Sequence, residues 1–466
     1  MFAGIDWQVG SVRQRRGPPG GRGPTRPPPP PEPRPTHPPP ARAQAYANNQ
    51  WALGDALTED PGQTSFHKAM ALADGTVSVL DKGGVVFTRI WCGYEVYVSL
   101  VDAKPGYTWG VYTLRDGAGA GAVGLTDGFA PADYDSPPSK QQREARFPFA
   151  LAQQALAIEL QSAQASVASD KTHILNAMIG ETDDFNAPLP ERHERYDLLN
   201  ETLRARFAAG SLRAALERDE AAPFFEALAK GRMHELSLDF ERCASFAGGA
   251  VDRLVECLPA TLQKLAVRSD PGDHLAGAFA PWLRVNSVLT SLNLKGNYIG
   301  DDGAKAIGGA LRVNGVLTDL DLADNQLCGL DRRGRGVYTA EGINAIAEAL
   351  RVNSVLTSLN LATNNLIGET SYYIKASTVQ GKSFNVGDKV TYQGREMIVS
   401  RGKDSDGDIK MKPLEWSSGI AAIADALRVN SVLTSLNLEW NLGIGDAGKA
   451  ALREIAKDRP SLTLKL

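Results

Sequence analysis

Leucine and asparagine recur at fixed spacing along the C-terminal half of the 466-residue chain. The motif Leu-Xaa-Xaa-Leu-Xaa-Leu-Xaa-Xaa-Asn occupies residues 289–297, 317–325, 356–364 and 433–441. Its Leu-Xaa-Leu segment predicts a strand, because side chains alternate between the two faces of a sheet. A Leu-Arg-Val-Asn sequence precedes each motif, and the first two of these begin 28 residues apart, at Leu283 and Leu311. A period of this length predicts a solenoid of stacked units, none of which can bury its apolar face alone.

Seven strands are predicted in this half from pairs of apolar residues two positions apart. The pairs begin at Leu236, Leu265, Leu292, Leu320, Leu359, Leu436 and Leu464. Two of the intervals between them exceed the period, and we interpret these as insertions over residues 328–337 and 368–418. Alternating apolar and polar positions over residues 386–413 predict three or four short strands, or a small barrel, within the longer insertion.

A helix is predicted after each strand, and an asparagine marks the turn between the two. Ala304, Ile307 and Leu311 share one helical face, and later repeats carry apolar residues at matching positions. The asparagines that end the motifs are expected to be buried and to pair with turn backbones of neighbouring units, because buried polar groups are hydrogen-bonded. They are Asn297, Asn325, Asn364 and Asn441.

The residues upstream predict a small α/β domain over 44–137 and a helical connector over 138–230. In the domain, helices are predicted over 65–73 and 88–101, and strands over 76–80, 107–113 and 122–125. Alternation of strands and helices favours βαβ units in a parallel sheet. In the connector, helices are predicted over 141–163, 173–179 and 190–208, the last ending near Gly210 as a C-terminal cap.

The first 43 residues are rich in proline, glycine and arginine. Proline has no backbone donor and fixes φ, so this segment predicts a disordered tail with polyproline II character. Seven arginines stand against only Asp6 and Glu32 here. The tail is interpreted either as a ligand for a proline-binding groove or as a solvated segment without a partner.

Composition and charge argue against several classes of protein. The formal net charge of −4 argues against a protein that coats nucleic acid. Four cysteines without a Cys-Xaa-Xaa-Cys pair form no disulfide framework, which fits a reducing compartment. The chain has no apolar run of the length that predicts a membrane span. We therefore expect a cytoplasmic protein without a membrane partner.

No motif in the sequence predicts a cofactor or a metal. Asp404, Asp406 and Asp408 are spaced like calcium ligands, but Gly407 stands at the fourth position and an EF-hand loop needs glycine at the sixth. These residues predict a hairpin turn instead. The Gly-Xaa-Gly-Xaa-Xaa-Gly sequence at 119–124 opens no helical pattern, so it predicts a loop.

Residues 231–466 resemble leucine-rich repeats of the ribonuclease-inhibitor subtype, which also occur in NOD-like receptors. The resemblance implies an α/β horseshoe with an inner parallel sheet and outer helices. It also implies recognition of proteins and does not imply catalysis. The expected function is that of an interaction or scaffold protein, whose partner and oligomeric state the sequence does not specify.

Two surfaces are predicted to bind the partner. Residues that follow the strand leucines are expected on the concave side: Asn293, Lys295, Asp321, Asn360, Asn437, Glu439 and Trp440. Trp440 is interpreted as an interface hot spot or, alternatively, as a cap packed over the last repeat. Basic residues of the two insertions are predicted to form a joint rim for an acidic partner: Arg332, Arg333, Arg335 and Lys403. The alternative is two unrelated, solvated insertions.

The segment Arg-Ile-Trp-Cys-Gly-Tyr-Glu-Val at residues 89–96, together with residues 65–80, resembles part of Toll/interleukin-1 receptor domains. Enzymatic members carry Trp-Cys-Xaa-Xaa-Glu on a helix, and that glutamate serves NAD cleavage. The resemblance implies an alternative function, a signalling NAD hydrolase with Glu95 as the carboxylate that stabilises an oxocarbenium-like transition state. The proline-rich residues upstream depart from the family. The other interpretation places Trp91 and Tyr94 in the core and Glu95 at the helix surface.

Overall fold

The computed structural model describes most of the chain beyond residue 58. The described residues are 10–11, 44–45, 59–102, 104, 106–114, 122–125, 146–331, 335–366, 372–381, 383–392, 395–413, 418–441 and 444–466. The chain divides into two compact units, Met1–Ser211 and Leu212–Leu466. Within the predicted tail only Gly10–Ser11 (β1) is described, paired antiparallel with Gln44–Ala45 (β2). The remainder of the tail prediction lies outside the described residues.

A three-stranded sheet and two helices open the first unit. The elements are α1 (Ser65–Leu72), β3 (Gly75–Leu80), α2 (Ile90–Leu100), β4 (Thr108–Leu114) and β5 (Ala122–Leu125), with 3-10 turns at Pro61–Gln63 and Val85–Thr88. β3 and β4 are parallel, as the βαβ pattern predicts. The expectation of a wholly parallel sheet is wrong, since β5 runs antiparallel to β4. The segment between these two strands is too short for the crossover that a parallel pair requires.

Three further helices follow in the described residues, and the last of them begins in the first unit and ends in the second. They are α3 (Phe149–Ala155), α4 (Ala168–Ile179) and α5 (Glu194–Leu216), with a 3-10 turn at Leu160–Ser162. The helix predicted over residues 141–163 is wrong in extent, although residues 141–145 lie outside the described part. Pro148 caps α3 in an extended conformation with ψ of 116°, and a proline has no amide hydrogen to continue a helix from upstream.

The helix end predicted near Gly210 is also wrong, because α5 continues to Leu216. Leu212 and Ala215 are fully buried, so the additional turns remove more apolar surface from water. That gain outweighs the roughly 1 kcal/mol that glycine costs inside a helix. The chain turns only beyond the helix, at Asp219, whose φ is +59°.

The second unit contains seven parallel strands in one sheet and four antiparallel strands in another. After α6 (Ala222–Lys230) come β6 (Glu235–Asp239), β7 (Lys264–Arg268), β8 (Ser291–Asn293), β9 (Asp319–Asp321) and β10 (Ser358–Asn360). The long insertion supplies β11 (Tyr372–Lys375), β12 (Lys389–Tyr392), β13 (Arg395–Arg401) and β14 (Asp408–Pro413). β15 (Ser435–Asn437) and β16 (Thr463–Lys465) complete the seven-stranded sheet, whose strands lie in chain order.

A helix lies between each pair of successive strands of the seven-stranded sheet. The helices are α7 (Gly249–Glu256), α8 (Gly272–Val285), α9 (Asp301–Leu311), α10 (Glu341–Val352), α11 (Ser418–Val429) and α12 (Gly445–Lys457). The strand register aligns the first leucine of every strand with that of the next, from Leu236 to Leu464. The prediction of seven parallel strands is confirmed.

The leucines of the motif form the core of this sheet. Leu292, Leu294, Leu320 and Leu322 are completely buried, and so is Ile307 on the helix that follows the first two. Each buried leucine or isoleucine contributes roughly 1.5–3 kcal/mol. Stability of the second unit therefore depends on rows of leucines shared between neighbouring repeats.

The motif asparagines form a first ladder, which we call the strand-end ladder. Asn325 Oδ1 accepts from the backbone N–H groups of Asn297 and Ile299, each at 3.0 Å. Its Nδ2 donates to the carbonyls of Leu294 at 2.9 Å and Leu322 at 3.0 Å. Asn297, Asn364 and Asn441 make equivalent bonds. Each asparagine thus joins two repeats through otherwise unpaired turn backbone.

A second ladder, which we call the helix-end ladder, was missed by the sequence interpretation. Asn314 Nδ2 donates to the carbonyl of Leu283 in the preceding repeat at 2.7 Å, and Oδ1 accepts from Leu317 N at 2.8 Å. Asn353 and Asn430 repeat both bonds. The signal was present in the asparagine of each Leu-Arg-Val-Asn sequence, which ends a helix and starts the next strand.

The described residues of the long insertion form a four-stranded antiparallel sheet in the order β11-β14-β13-β12. Its buried core includes Val390, Met397, Val399, Ile409 and Met411. The segment after β11 also pairs with the outer edge of β12, through two backbone hydrogen bonds between Gln380 and Thr391 of 2.9 and 2.7 Å. The short strands are therefore confirmed, and a small barrel stays a prediction. The turn before β14 is held by Asp404, which accepts from the N–H groups of the residues two and four positions later.

Candidate functional site

The solvent face of the repeat sheet carries the predicted partner-binding residues. We call it the polar face, and define it by the residues that flank each strand's first leucine on β8, β9, β10 and β15. Register places them in two rows: Ser291, Asp319, Ser358 and Ser435 in one, and Asn293, Asp321, Asn360 and Asn437 in the other. All are partly or fully exposed. The polar face therefore brings Asn293, Asp321, Asn360 and Asn437 together across four neighbouring strands.

Side chains of the second row also support the backbone. Asn293, Asn360 and Asn437 each accept, through Oδ1, from the N–H two residues ahead, at 2.9–3.1 Å. Asp321 accepts from Ala323 N at 2.8 Å and from Asn360 Nδ2 at 3.1 Å. Burial raises the pKa of Asp321, and these two hydrogen bonds oppose the rise. The row is thus fixed in position before any partner arrives.

Trp440 stands just beyond this row, at the end of β15. Its side chain is 75% exposed, so it does not pack as a cap over the last repeat. Its φ is +60°, and the residues at the same place in the three preceding repeats, Gly296, Asp324 and Thr363, also have positive φ. The repeat thus requires a left-handed conformation here, for which glycine is suited and a bulky residue is not.

The insertions bring one predicted rim residue into an ion pair. Arg335 donates through Nε to Asp331 Oδ2 at 2.7 Å, and Lys403 is exposed in the turn before β14. Arg332 and Arg333 lie outside the described residues. The two insertions leave neighbouring repeats, and Asn365 at the root of the second donates to the carbonyl of Asp331 in the first. A joint basic rim stays a prediction.

Glu95 lies on α2 in the first unit, half-buried. Burial raises its pKa to about 7, and the charge of Arg89 opposes the rise. Burial, reinforced by Glu95, raises the pKa of the neighbouring Cys92 to about 11. Of the aromatic residues beside it, Tyr94 is buried and Trp91 donates through Nε1 to Asp170 at 3.0 Å. Trp91 therefore links α2 to α4, and Tyr94, whose hydroxyl lies 3.1 Å from His67 Nδ1, packs α2 against α1.

We expect Glu95→Gln to stabilise the protein at high pH. The folded pKa of about 7 lies above the reference value of 4.5, so the charged form is penalised only in the folded state. The free energy of unfolding of wild type is therefore greatest below the unfolded pKa of 4.5. It decreases by up to about 3 kcal/mol as pH rises from that value through the folded pKa of about 7. Urea denaturation should give a higher free energy of unfolding for the variant than for wild type at pH 8, and equal values at pH 4.

The control for that comparison is Glu191→Gln, which changes an exposed carboxylate. A difference between Glu95→Gln and wild type that stays constant across the pH range would contradict the assigned environment of Glu95.

A cleft of about 490 Å³ opens elsewhere in the first unit. Its lining includes Gly84, Phe87, Gln154 and Glu159, and Glu95 is not part of it. The NAD-hydrolase alternative therefore receives no support from the location of this cleft. In the described residues, no group of three or more His, Cys, Asp or Glu side chains is placed to hold a metal.

Comparison with known proteins supports the repeat assignment. A family model described as Leucine Rich repeat matches residues 285–308 and 429–452. Those segments run from the helix-end ladder through a strand into the following helix. The repeat sheet and the matched segments support the presence of leucine-rich repeats in this chain, as its sequence pattern predicts.

The other comparisons assign neither a fold nor a function to the chain. A solved structure entitled "Leiomodin-1 Actin-Binding Site 2 (ABS2)" is 23% identical, and the similarity covers 32% of this chain and 76% of that one at a TM-score of 0.23. A TM-score this low transfers neither fold nor function. A search of curated proteins found no match. Of the helices in the described residues, none combines the length and apolar character needed to cross a bilayer.

Proposed function

We propose that this protein binds a protein partner through the polar face and Trp440. Leucine-rich repeats present a wide, rigid surface without a catalytic constellation, which suits recognition. Asn293, Lys295, Asp321, Asn360, Asn437 and Glu439 would supply its polar contacts. Arg332, Arg333, Arg335 and Lys403 would extend the contact onto the insertions. The helix in each repeat supports the ribonuclease-inhibitor subtype and its horseshoe.

One observation carries the proposal: an exposed tryptophan occupies a position where the backbone favours glycine. A non-glycine residue in the left-handed region costs on the order of 1 kcal/mol. The exposed part of the Trp440 indole contributes no hydrophobic stabilisation to the folded state. Tryptophan is enriched at the centres of interfaces, where it carries much of the binding energy. Retaining Trp440 here is therefore best explained by a partner that covers it.

We expect Trp440→Gly to weaken partner capture strongly while leaving the stability of the fold nearly unchanged. Glycine relieves the positive φ, and its greater freedom in the unfolded chain offsets part of that gain, so stability should change by less than about 1 kcal/mol. Affinity capture with wild-type protein defines the bound proteins, and the variant should lose roughly tenfold or more in their recovery, since interface tryptophans cost about 2 kcal/mol or more when truncated.

Thr363→Gly is the matched control. Thr363 has the equivalent backbone, with φ of +57°, in the preceding repeat. This change relieves the same conformation and keeps the indole, so capture should survive. If Trp440→Gly captured the same proteins at wild-type levels, the proposed function would be wrong.

A further inference from the structure

Charge is distributed unevenly across the repeat sheet. On the first strands, acids and bases lie side by side and pair across strands. Lys264 on β7 donates to Glu235 on β6, and Arg268 on β7 lies 2.8 Å from Glu241 just beyond β6. Opposite charges thus neutralise each other at this end of the sheet.

The other end is acidic apart from its edge strand β16, whose exposed Lys465 lies in register with Asn437. Residues 319–324, 358–363 and 435–440, which form β9, β10, β15 and the turns after them, contain Asp319, Asp321, Asp324 and Glu439 but no lysine, arginine or histidine. Asp319 is exposed and accepts from the neutral Ser291 hydroxyl at 3.0 Å. Asp321 accepts from the neutral Asn360 amide. Lys295 on the preceding repeat is the cation whose charge reaches Asp321.

Trp440 adds an aromatic surface to the acidic end. Glu439 precedes it and is partly exposed, so a carboxylate and an open indole are presented together. An arginine or lysine placed over the ring would gain a cation–π interaction and a carboxylate at once. A partner segment with neutral or acidic side chains would desolvate Asp319 and Glu439 without bringing an opposite charge to them.

We propose, building on the proposed function, that the partner presents an extended segment carrying arginine or lysine side chains, which lies across β9, β10 and β15 with one cation over Trp440. Asp321 on β9 is in register with Asn437 on β15, and Glu439 lies two residues beyond Asn437. Strands are about 4.8 Å apart and rise about 3.3 Å per residue, so Asp321 and Glu439 are separated by roughly 12 Å. Side chains of an extended chain alternate between two faces, so two cations about four residues apart share one face and, spaced about 13 Å, reach both carboxylates.

The same charges disfavour other occupants of this surface. Two copies of the chain meeting through this face would set carboxylates against carboxylates, because a twofold interface pairs a patch with itself. Nucleic acid carries the same sign of charge as the face. A basic protein segment fits the surface, and these alternatives do not.

The test uses the full chain and a fluorescent peptide of repeated Arg-Ser-Ser-Ser units. The double variant Asp321→Asn, Glu439→Gln should weaken binding of this peptide roughly tenfold, since close charge pairs at interfaces contribute about 1.5 kcal/mol or more. Asparagine already occupies the position of Asp321 in the neighbouring repeats, as Asn293 and Asn360, so the fold should tolerate it. Binding should also weaken as salt rises.

Glu226→Gln, which removes an exposed carboxylate on α6, is the control and should bind as wild type does. Equal loss in the control, or equal binding of a repeated Glu-Ser-Ser-Ser peptide, overturns the proposal. The two hypotheses fail separately. Partners that depend on Trp440 but ignore the double variant would refute the cationic segment and leave the proposed function standing.

Discussion

Replacing Asn325 by alanine is expected to destabilise the second unit by about 3–5 kcal/mol. The side chain satisfies the N–H groups of Asn297 and Ile299 and the carbonyls of Leu294 and Leu322. A buried backbone group left without a partner costs about 1–3 kcal/mol. Because at least two donors lose their acceptor in a site closed to water, the individual costs accumulate.

Asn360→Ala is the appropriate control for Asn325→Ala. It removes the same side chain from the adjoining strand, but on the polar face, where water can replace its bonds. Its cost should stay near 1 kcal/mol. Urea denaturation followed by circular dichroism would measure both, and equal losses would show that the strand-end ladder has no special role.

The second large effect is expected from Leu322→Ala, which should cost about 2–5 kcal/mol. Leu322 is completely buried, and its neighbours in adjacent repeats, Leu294 and Leu361, are equally buried. Removing its methyl groups leaves a cavity that strands held in register cannot close by collapsing. Hydrogen exchange should show β9 and β10 losing protection before β6, because repeats are stabilised chiefly by their nearest neighbours.

Val352→Ala provides the comparison for Leu322→Ala. Val352 lies in the same repeat as β10 and is 57% exposed. Its truncation should change stability by no more than about 0.5 kcal/mol. A loss as large as that of Leu322→Ala would mean that burial does not govern the stability of this sheet.

The repeats were predictable because the same physical demand recurs at every unit. Leucine pairs such as Leu320 and Leu322 must face one side, and a polar turn residue such as Asn325 must satisfy exposed turn backbone. The period made both visible in one sequence. The helix-end ladder obeys the same logic through Asn314, and it was missed because the sequence was used only to measure the period.

The first unit was less predictable because each of its sequence patterns occurs only once. A helix end or a strand direction predicted there cannot be checked against a second copy of the pattern. Glycine is typical of the residue that ends a helix, yet the helix continues past Gly210 because Leu212 and Ala215 are buried. The direction of β5 depended on the length of its connection. Within the candidate site, the location of Trp440 followed from the motif, but its positive φ became clear only when Gly296 was seen at the equivalent place.

The strand-end ladder has a consequence for how the chain accommodates added sequence. Asn364 N donates to Asn441 Oδ1 at 2.9 Å across a separation of 77 residues, and β10 still pairs with β15 in the usual register. The entropy lost in closing a loop grows only with the logarithm of its length. The stability of the junction between these repeats therefore depends only weakly on the length of the insertion. We expect that an insertion of different length or fold could replace this one while the flanking repeats keep their pairing.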